Sequence, residues 1–224
     1  STLYINGAWV ASSDGAVREI RSPHDNSVVA IVSEATAADT REAIKAARES
    51  FDSGVYASWS MQERCALVSK VADLIKRDAE ILASLETRDT GKRMIETRYD
   101  MADIESTFRH FAALGLKLKD RKVDVGADNI TSVITHEPVG VCALIGPWNY
   151  PLLQISWKVA PALVAGCSFI VKPSELSPST AIHLMKLLEE AGLPKGVANL
   201  ICGAGATAGA PLTEDPRVDL VSFT

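Results

Sequence analysis

The chain has 224 residues, 47% of them hydrophobic, enough for one large core or two small ones. Its 28 acidic and 23 basic residues leave a net charge of −5 with no basic stripe, so no nucleic-acid partner is expected. No stretch reaches the ~18 apolar residues of a membrane span. The opening STLYINGAWV also lacks the basic and apolar regions of a signal peptide, so a cytoplasmic protein without a membrane partner is expected.

Residues 3–34 read as short strands. An Asn6-Gly7 turn between Tyr4-Ile5 and Ala8-Val10 signals a hairpin, and Val28–Val32 is a further strand. From 33 to 50 the pattern turns helical, with Ile44, Ala47 and Phe51 at steps of three and four, until Asp52-Ser53-Gly54. Val68, Ala72, Ile75, Ala79 and Leu82 then continue one apolar stripe, predicting a single long helical block that Asp89-Thr90-Gly91-Lys92 closes. Another helix is predicted over 95–116. Residues 117–136 mix charges with alternation, and 130–136 predict an exposed strand that needs a partner to cover its edge.

A strand–helix rhythm follows. Val139–Ile145 is a continuous apolar run, broken at Gly146-Pro147. An apolar helix over 152–164 and a second buried run over 168–171 come next. Ser177-Pro178 reads as an N-cap with proline at the first helical position. Ala181, Leu184, Leu188 and Ala191 continue that helix, and Gly192-Leu193-Pro194 stops it. Val197–Ile201 is a third strand, a helix starts near Ala208, and Asp219–Phe223 is a fourth strand. Strands joined by helices in one direction predict an α/β fold, a parallel sheet with helices on both faces.

Cys65, Cys142, Cys167 and Cys202 form no CxxC pair, and three lie in or beside apolar runs. They read as small buried hydrophobes in a reducing compartment, with no disulfide or zinc site. His24 and His110 lack a ligand partner at helical spacing, so no metal is expected.

The polar residues of interest lie just past the strands, where ligands of an open parallel sheet bind. Gly203, Gly205 and Gly209 can let a backbone approach a phosphate, although GxGxxxG is not the dinucleotide fingerprint and a plain loop explains it as well. Glu175 past the second strand can accept from an adenosine ribose, with Lys172 donating to the same hydroxyls. A carboxylate there repels a 2′-phosphate and favours NAD over NADP; an exposed surface pair is the alternative. Asn149 in a Trp-Asn-Tyr-Pro turn offers a neutral donor for an oxyanion, or simply satisfies the turn. Tyr150 and Trp157 are seven apart. That spacing favours core packing over a pocket wall, but as a wall they would attract a quaternary ammonium group. Lys158 sits in an otherwise apolar helix and needs a partner or a shifted pKa.

The run GPWNYPLLQISWKVAPALVAGCSFIVKPSELSP, with LETRDTGK at 85–92 and DLVSFT at 219–224, resembles the NAD(P)-dependent aldehyde dehydrogenase superfamily, in its betaine-aldehyde and aminoaldehyde branch. The resemblance runs over essentially the whole chain. It implies a Rossmann-like sheet with flanking helices, an N-terminal helical segment and part of an oligomerisation strand pair. Residues 1–117 would be the first part of the NAD-binding domain, 118–137 the oligomerisation strands and 138–224 the nucleotide-binding core.

The same resemblance implies that Asn149 is the oxyanion amide and that Lys158 belongs to a charge relay. Ile145, Pro147 and Trp148 would line the nicotinamide side. Lys172, Ser174 and Glu175 would hold the ribose, and Gly205 and Gly209 would lie near adenine and pyrophosphate. Tyr150 and Trp157 would wall an aromatic box for trimethylammonium. NAD is the expected cofactor, a small aldehyde the substrate and a homodimer or homotetramer the assembly. The family's nucleophilic cysteine and general-base glutamate match nothing here, so these 224 residues alone are expected to be inactive. A catalytically dead dinucleotide-binding or assembly module, or a dehydrogenase of another aldehyde, is the competing expectation.

Overall fold

The computed structural model describes residues 1–224. The chain opens with the hairpin β1 (Leu3–Ile5) and β2 (Ala8–Val10), turned by Asn6 and Gly7, both at positive φ. A second antiparallel pair follows, β3 (Val17–Arg21) and β4 (Val28–Ser33). Helix α1 (Ala37–Asp52) begins with a reciprocal cap. Thr36 Oγ1 accepts from the Asp39 amide, and the Asp39 carboxylate accepts from the Thr36 amide.

Where the apolar stripe predicts one block, the chain makes two helices, α2 (Met61–Arg77) and α3 (Ala79–Thr90). The break is at Asp78, where ψ is 14°. Its carboxylate is held by Arg77 and lies 2.8 Å from His183 Nε2, so a polar contact turns the backbone while the apolar period continues across it. Helix α4 (Met94–Gly115) comes next. The strand predicted at 130–136 is shorter, β6 (Ser132–Ile134), and it pairs with β5 (Arg121–Val123). The Arg-Lys-Val composition of β5 carries no alternation that could announce it.

The remaining elements are β7 (Val141–Ile145), α5 (Pro151–Ala165), β8 (Ser168–Lys172), α6 (Ser179–Ala191), β9 (Ala198–Leu200), α7 (Ala210–Glu214) and β10 (Leu220–Phe223). Helix α6 starts one residue later than Ser177-Pro178 predicts. Pro178 is the boundary residue, and the first turn is capped from a distance: Asp89 accepts from the Ser179 amide and from its hydroxyl, both at 2.9 Å. The helix expected near Ala208 is instead a π-helical turn, Gly205–Gly209, leading into α7. Two glycines and two alanines around Thr207 leave few side chains to pull the turn into α geometry.

Six strands form one sheet in the order β10-β7-β8-β9-β1-β2. The strands β7 to β10 are parallel, and β1 runs antiparallel to β9. From β7 the chain steps to β8 and β9 through α5 and α6, then returns past β7 to β10. Right-handed crossovers therefore place α5 and α6 on one face and α7 on the other, where it packs against α1. One apolar cluster of 52 buried residues joins both layers. No helix is long and apolar enough to cross a membrane.

The entry to the parallel strands is fixed by one carboxylate. Asp219 accepts from the Val141 amide at 2.7 Å and from Arg48 Nη1 at 2.8 Å, while its own amide donates to Val141 O at 2.9 Å. Gly140 makes room for it. Its φ is +128°, and a Cβ there would stand 1.9 Å from Asp219 Oδ2. Gly140→Ala is expected to lower unfolding stability by about 3 kcal/mol, from backbone strain and the displaced carboxylate. Urea denaturation checks this; a loss below about 1 kcal/mol would show that the contact is dispensable.

Candidate functional site

Parallel register sets the site. Ile145, the last residue of β7, is the Cα partner of Lys172 on β8 and of Phe223 on β10. These residues end their strands at the same edge. The crossovers leave β7 in opposite directions there, the position at which an open α/β sheet leaves a crevice. A cleft of about 540 Å³ opens at that point. Ile145, Pro147, Trp148, Lys172, Ser174, Glu175, Gly205 and Gly209, all singled out in the sequence, line it together.

Lys172 is the main charged group of this wall. Only 3% of it is exposed. Its ammonium donates to Pro173 O at 3.1 Å and lies 3.7 Å from Glu175 Oε2. Burial pushes its pKa down, and Glu175 opposes that shift. One firm hydrogen bond leaves donors on a buried ammonium unused, beside a carboxylate that is half-buried. The pair suits a diol that can both donate and accept. Gly209 packs under the lysine stem, where a Cβ would meet Lys172 Cε at 3.3 Å, and Gly205 faces open space. This lining fits the ribose and phosphate part of a dinucleotide.

Asn149 does not line the cleft. It follows Trp148, is exposed, and its Oδ1 accepts from the Tyr150 amide at 3.1 Å, which leaves Nδ2 as a free donor. Gly146 lets this turn close onto α5, since a Cβ would sit 2.6 Å from Ile155 Cγ1.

Tyr150 and Trp157 are 43% and 53% exposed, so core packing, the reading that spacing favours, is overturned. Tyr150 also precedes the helix rather than sharing its face. Its ring carries the Lys92 ammonium at 3.7 Å from the centroid. That ammonium in turn meets Asp100 at 2.5 Å and Glu86 at 3.4 Å. Burial, with Asp100 adding to it, pushes the Glu86 carboxyl up to about 7. Trp157 lies in a separate groove with Leu153, His110 and Phe111.

Lys158 has partners: its Nζ donates to Ser222 Oγ at 3.1 Å and Thr224 Oγ1 at 2.7 Å, and burial lowers its pKa. The four cysteines are all free and buried, and burial raises the Cys202 thiol to about 12. The hydrogen bond with Cys142 lowers the Cys167 thiol and raises that of Cys142, but Cys167 is buried and lines none of the clefts described.

Sequence reasoning missed Thr213, Phe223 and Thr224 as lining residues. Phe223 could have been found by aligning the last strand with Val139–Ile145, because parallel register puts their carboxyl ends together. Asp89 reads in the sequence only as part of a helix stop and a family motif, although it orients the start of α6 and shares a cleft with Ser177, whose hydroxyl donates to Trp148 O at 3.3 Å.

The fold and its crevice define an open, doubly wound α/β protein of the class whose ligands sit at the switch point. More narrowly, the chain belongs to the aldehyde dehydrogenase family, whose model matches residues 9–224. It is 48% identical over 223 residues to betaine aldehyde dehydrogenase of Bacillus subtilis, covering 100% of this chain and 46% of that protein. It is 38% identical to human retinal dehydrogenase 2, covering 99% of this chain and 43% of that protein. A crystal structure of Staphylococcus aureus betaine aldehyde dehydrogenase in complex with NAD+ superposes with a TM-score of 0.97 at 47% identity, over 99% of this chain and 44% of that one. The chain thus spans under half the length of these relatives.

Burial raises the Asp89 carboxyl to about 6 against the two Ser179 hydrogen bonds, which lower it. The folded state then keeps a proton that the unfolded chain has already shed, so this contribution is full below about pH 4 and is lost as pH rises through about 6. Relative to Asp89→Asn, which cannot titrate, the wild type is expected to lose on the order of 3 kcal/mol between pH 4 and 7. Urea denaturation of both proteins across that range checks it; parallel pH profiles would refute the buried-acid account.

Proposed function

We propose that this chain is the nucleotide-binding portion of an NAD-dependent dehydrogenase that oxidises an aldehyde, betaine aldehyde in the first instance, to its carboxylic acid. The observation that carries the reading is the buried Lys172 beside Glu175 in a glycine-lined cleft at the switch point of the sheet. A relative of similar fold carries NAD+. The dinucleotide, when bound, supplies a hydride acceptor.

The residues of this chain have separable tasks. Lys172 donates to the ribose hydroxyls, and Glu175 accepts from them and disfavours a 2′-phosphate, hence NAD rather than NADP. Ser174 closes the same edge. Gly205 and Gly209 let the dinucleotide come close to the backbone. Ile145, Pro147 and Trp148 shape the apolar wall and exclude water. Asn149, with Oδ1 engaged, presents Nδ2 to the developing oxyanion and stabilises it without titrating. Lys158 is half-buried, and burial lowers its pKa, so its Nζ gives up a proton more readily than that of an exposed lysine. No residue of this chain is assigned as the nucleophile or the general base.

The identity to betaine aldehyde dehydrogenase of Bacillus subtilis supports a cationic aldehyde; within this chain Tyr150 already seats the Lys92 ammonium and Trp157 lines a separate groove. Four free buried cysteines support a cytoplasmic setting. The β5–β6 hairpin, with Val133 and Ile134 at 46% and 40% exposure, supports assembly into a homodimer or homotetramer.

The full-length protein carrying this chain is expected to reduce NAD with betaine aldehyde, faster than with a neutral aldehyde of similar size. Absence of NADH formation would refute the reading. In that protein Asn149→Ala should lower kcat by about 10²–10³-fold with NAD affinity unchanged. Lys172→Met should raise the NAD Kd with little effect on kcat at saturating NAD. The reverse pattern in the two variants would reassign both residues.

A further inference from the structure

The segment after β9 walls the cleft, yet Gly203-Ala-Gly-Ala-Thr-Ala-Gly209 has no long side chain to fix it. Its anchors come from near the other end of the chain. The Ala204 amide donates to Glu34 Oε1 at 2.9 Å. On either side, Cys202 O accepts from the Ala35 amide at 2.7 Å and Ala208 O accepts from Thr40 Oγ1 at 3.0 Å. Glu34 is held in turn by a bidentate pair: Arg18 Nε donates to Oε2 at 2.6 Å and Nη2 to Oε1 at 2.8 Å. Arg18 lies on β3 and Glu34 just past β4, so the pair forms only when that hairpin is in register.

We propose that Glu34, held by Arg18, is a positioning residue for nicotinamide-dinucleotide binding: its carboxylate fixes the Ala204 amide and so sets the Gly205–Gly209 turn against Lys172. The inference rests on the dinucleotide reading of the cleft. A glycine- and alanine-rich turn has many accessible conformations. Without the carboxylate, ligand must select the competent one. If that state falls to about one-tenth of the population, the apparent Kd rises about tenfold. The guanidinium fork matters because it holds both carboxylate oxygens, which fixes the orientation of the lone pair offered to Ala204.

The test uses the full-length protein. NAD Kd is measured by quenching of tryptophan fluorescence, and kcat and aldehyde KM are measured at saturating NAD, for wild type, Glu34→Ala, Glu34→Gln and Arg18→Met. Glu34→Ala should raise the NAD Kd about tenfold while aldehyde KM and saturated kcat stay at wild-type values. Glu34→Gln keeps an acceptor for Ala204 and should recover most of the affinity, with Arg18→Met between the two. A wild-type NAD Kd in Glu34→Ala overturns the proposal, as does an equal loss in Glu34→Gln or a parallel loss in aldehyde KM and kcat. Should Glu34→Ala not fold, wild-type NAD affinity in both remaining variants overturns it. A wild-type protein that binds no NAD defeats the dinucleotide reading itself. A wild type that binds, with variants that match it, removes the clamp alone.

Discussion

The register of β7 against its two neighbours is the constraint on which the rest depends. Ile145 faces Lys172 on one side and Phe223 on the other, so one row of the sheet ends in three cleft residues from distant parts of the sequence. A slip of one residue would turn alternate side chains to the opposite face and take the lysine out of the crevice. The strands resist such a slip because all residues of β7 and β8 are buried and every second side chain packs against helices. Asp219 adds a polar lock between the opposite end of β7 and the start of β10, where Gly140 yields the space. Hydrophobic burial holds the strands together, and directional hydrogen bonds decide how they align.

Three ionisable groups on β8 and α3 are buried. Lys172, Glu86 and Asp89 are each less than 9% exposed. Desolvation shifts all three toward their neutral forms. A fully apolar replacement of such groups is often more stable, so their presence is not explained by stability alone. Each instead orients something. Lys172 faces the cleft, Asp89 starts α6, and the Glu86–Lys92–Asp100 cluster seats a cation against the ring of Tyr150.

Much of the fold was legible in the sequence because apolar periodicity reports burial directly. The runs at 139–145 and 168–171 and the helices between them follow that period, and the structure differs there by a residue or two. The errors have a common cause. At Asp78, at Ser179 and in the Gly205–Gly209 turn, the outcome depends on partners far away in sequence: His183, Asp89, and the Glu34 and Thr40 anchors. Periodicity is blind to such contacts. The eight cleft residues are legible because strand ends and a family resemblance point to them. The hairpin that holds their loop carries no motif, and Tyr150 and Trp157 are not a core pair, because seven-residue spacing implies a shared helix face only if both residues are in the helix.

Strand β10 pairs with β7 on one side only, and Leu220, Val221 and Phe223 are exposed, Phe223 at 75%. Its free rim carries a row of amide and carbonyl groups with no charged residue or proline among Leu220–Phe223 to discourage another backbone from joining. Handled by itself at high concentration, this polypeptide would offer a sticky seam along that rim, and its solubility would be governed by what caps the seam rather than by the stability of the interior.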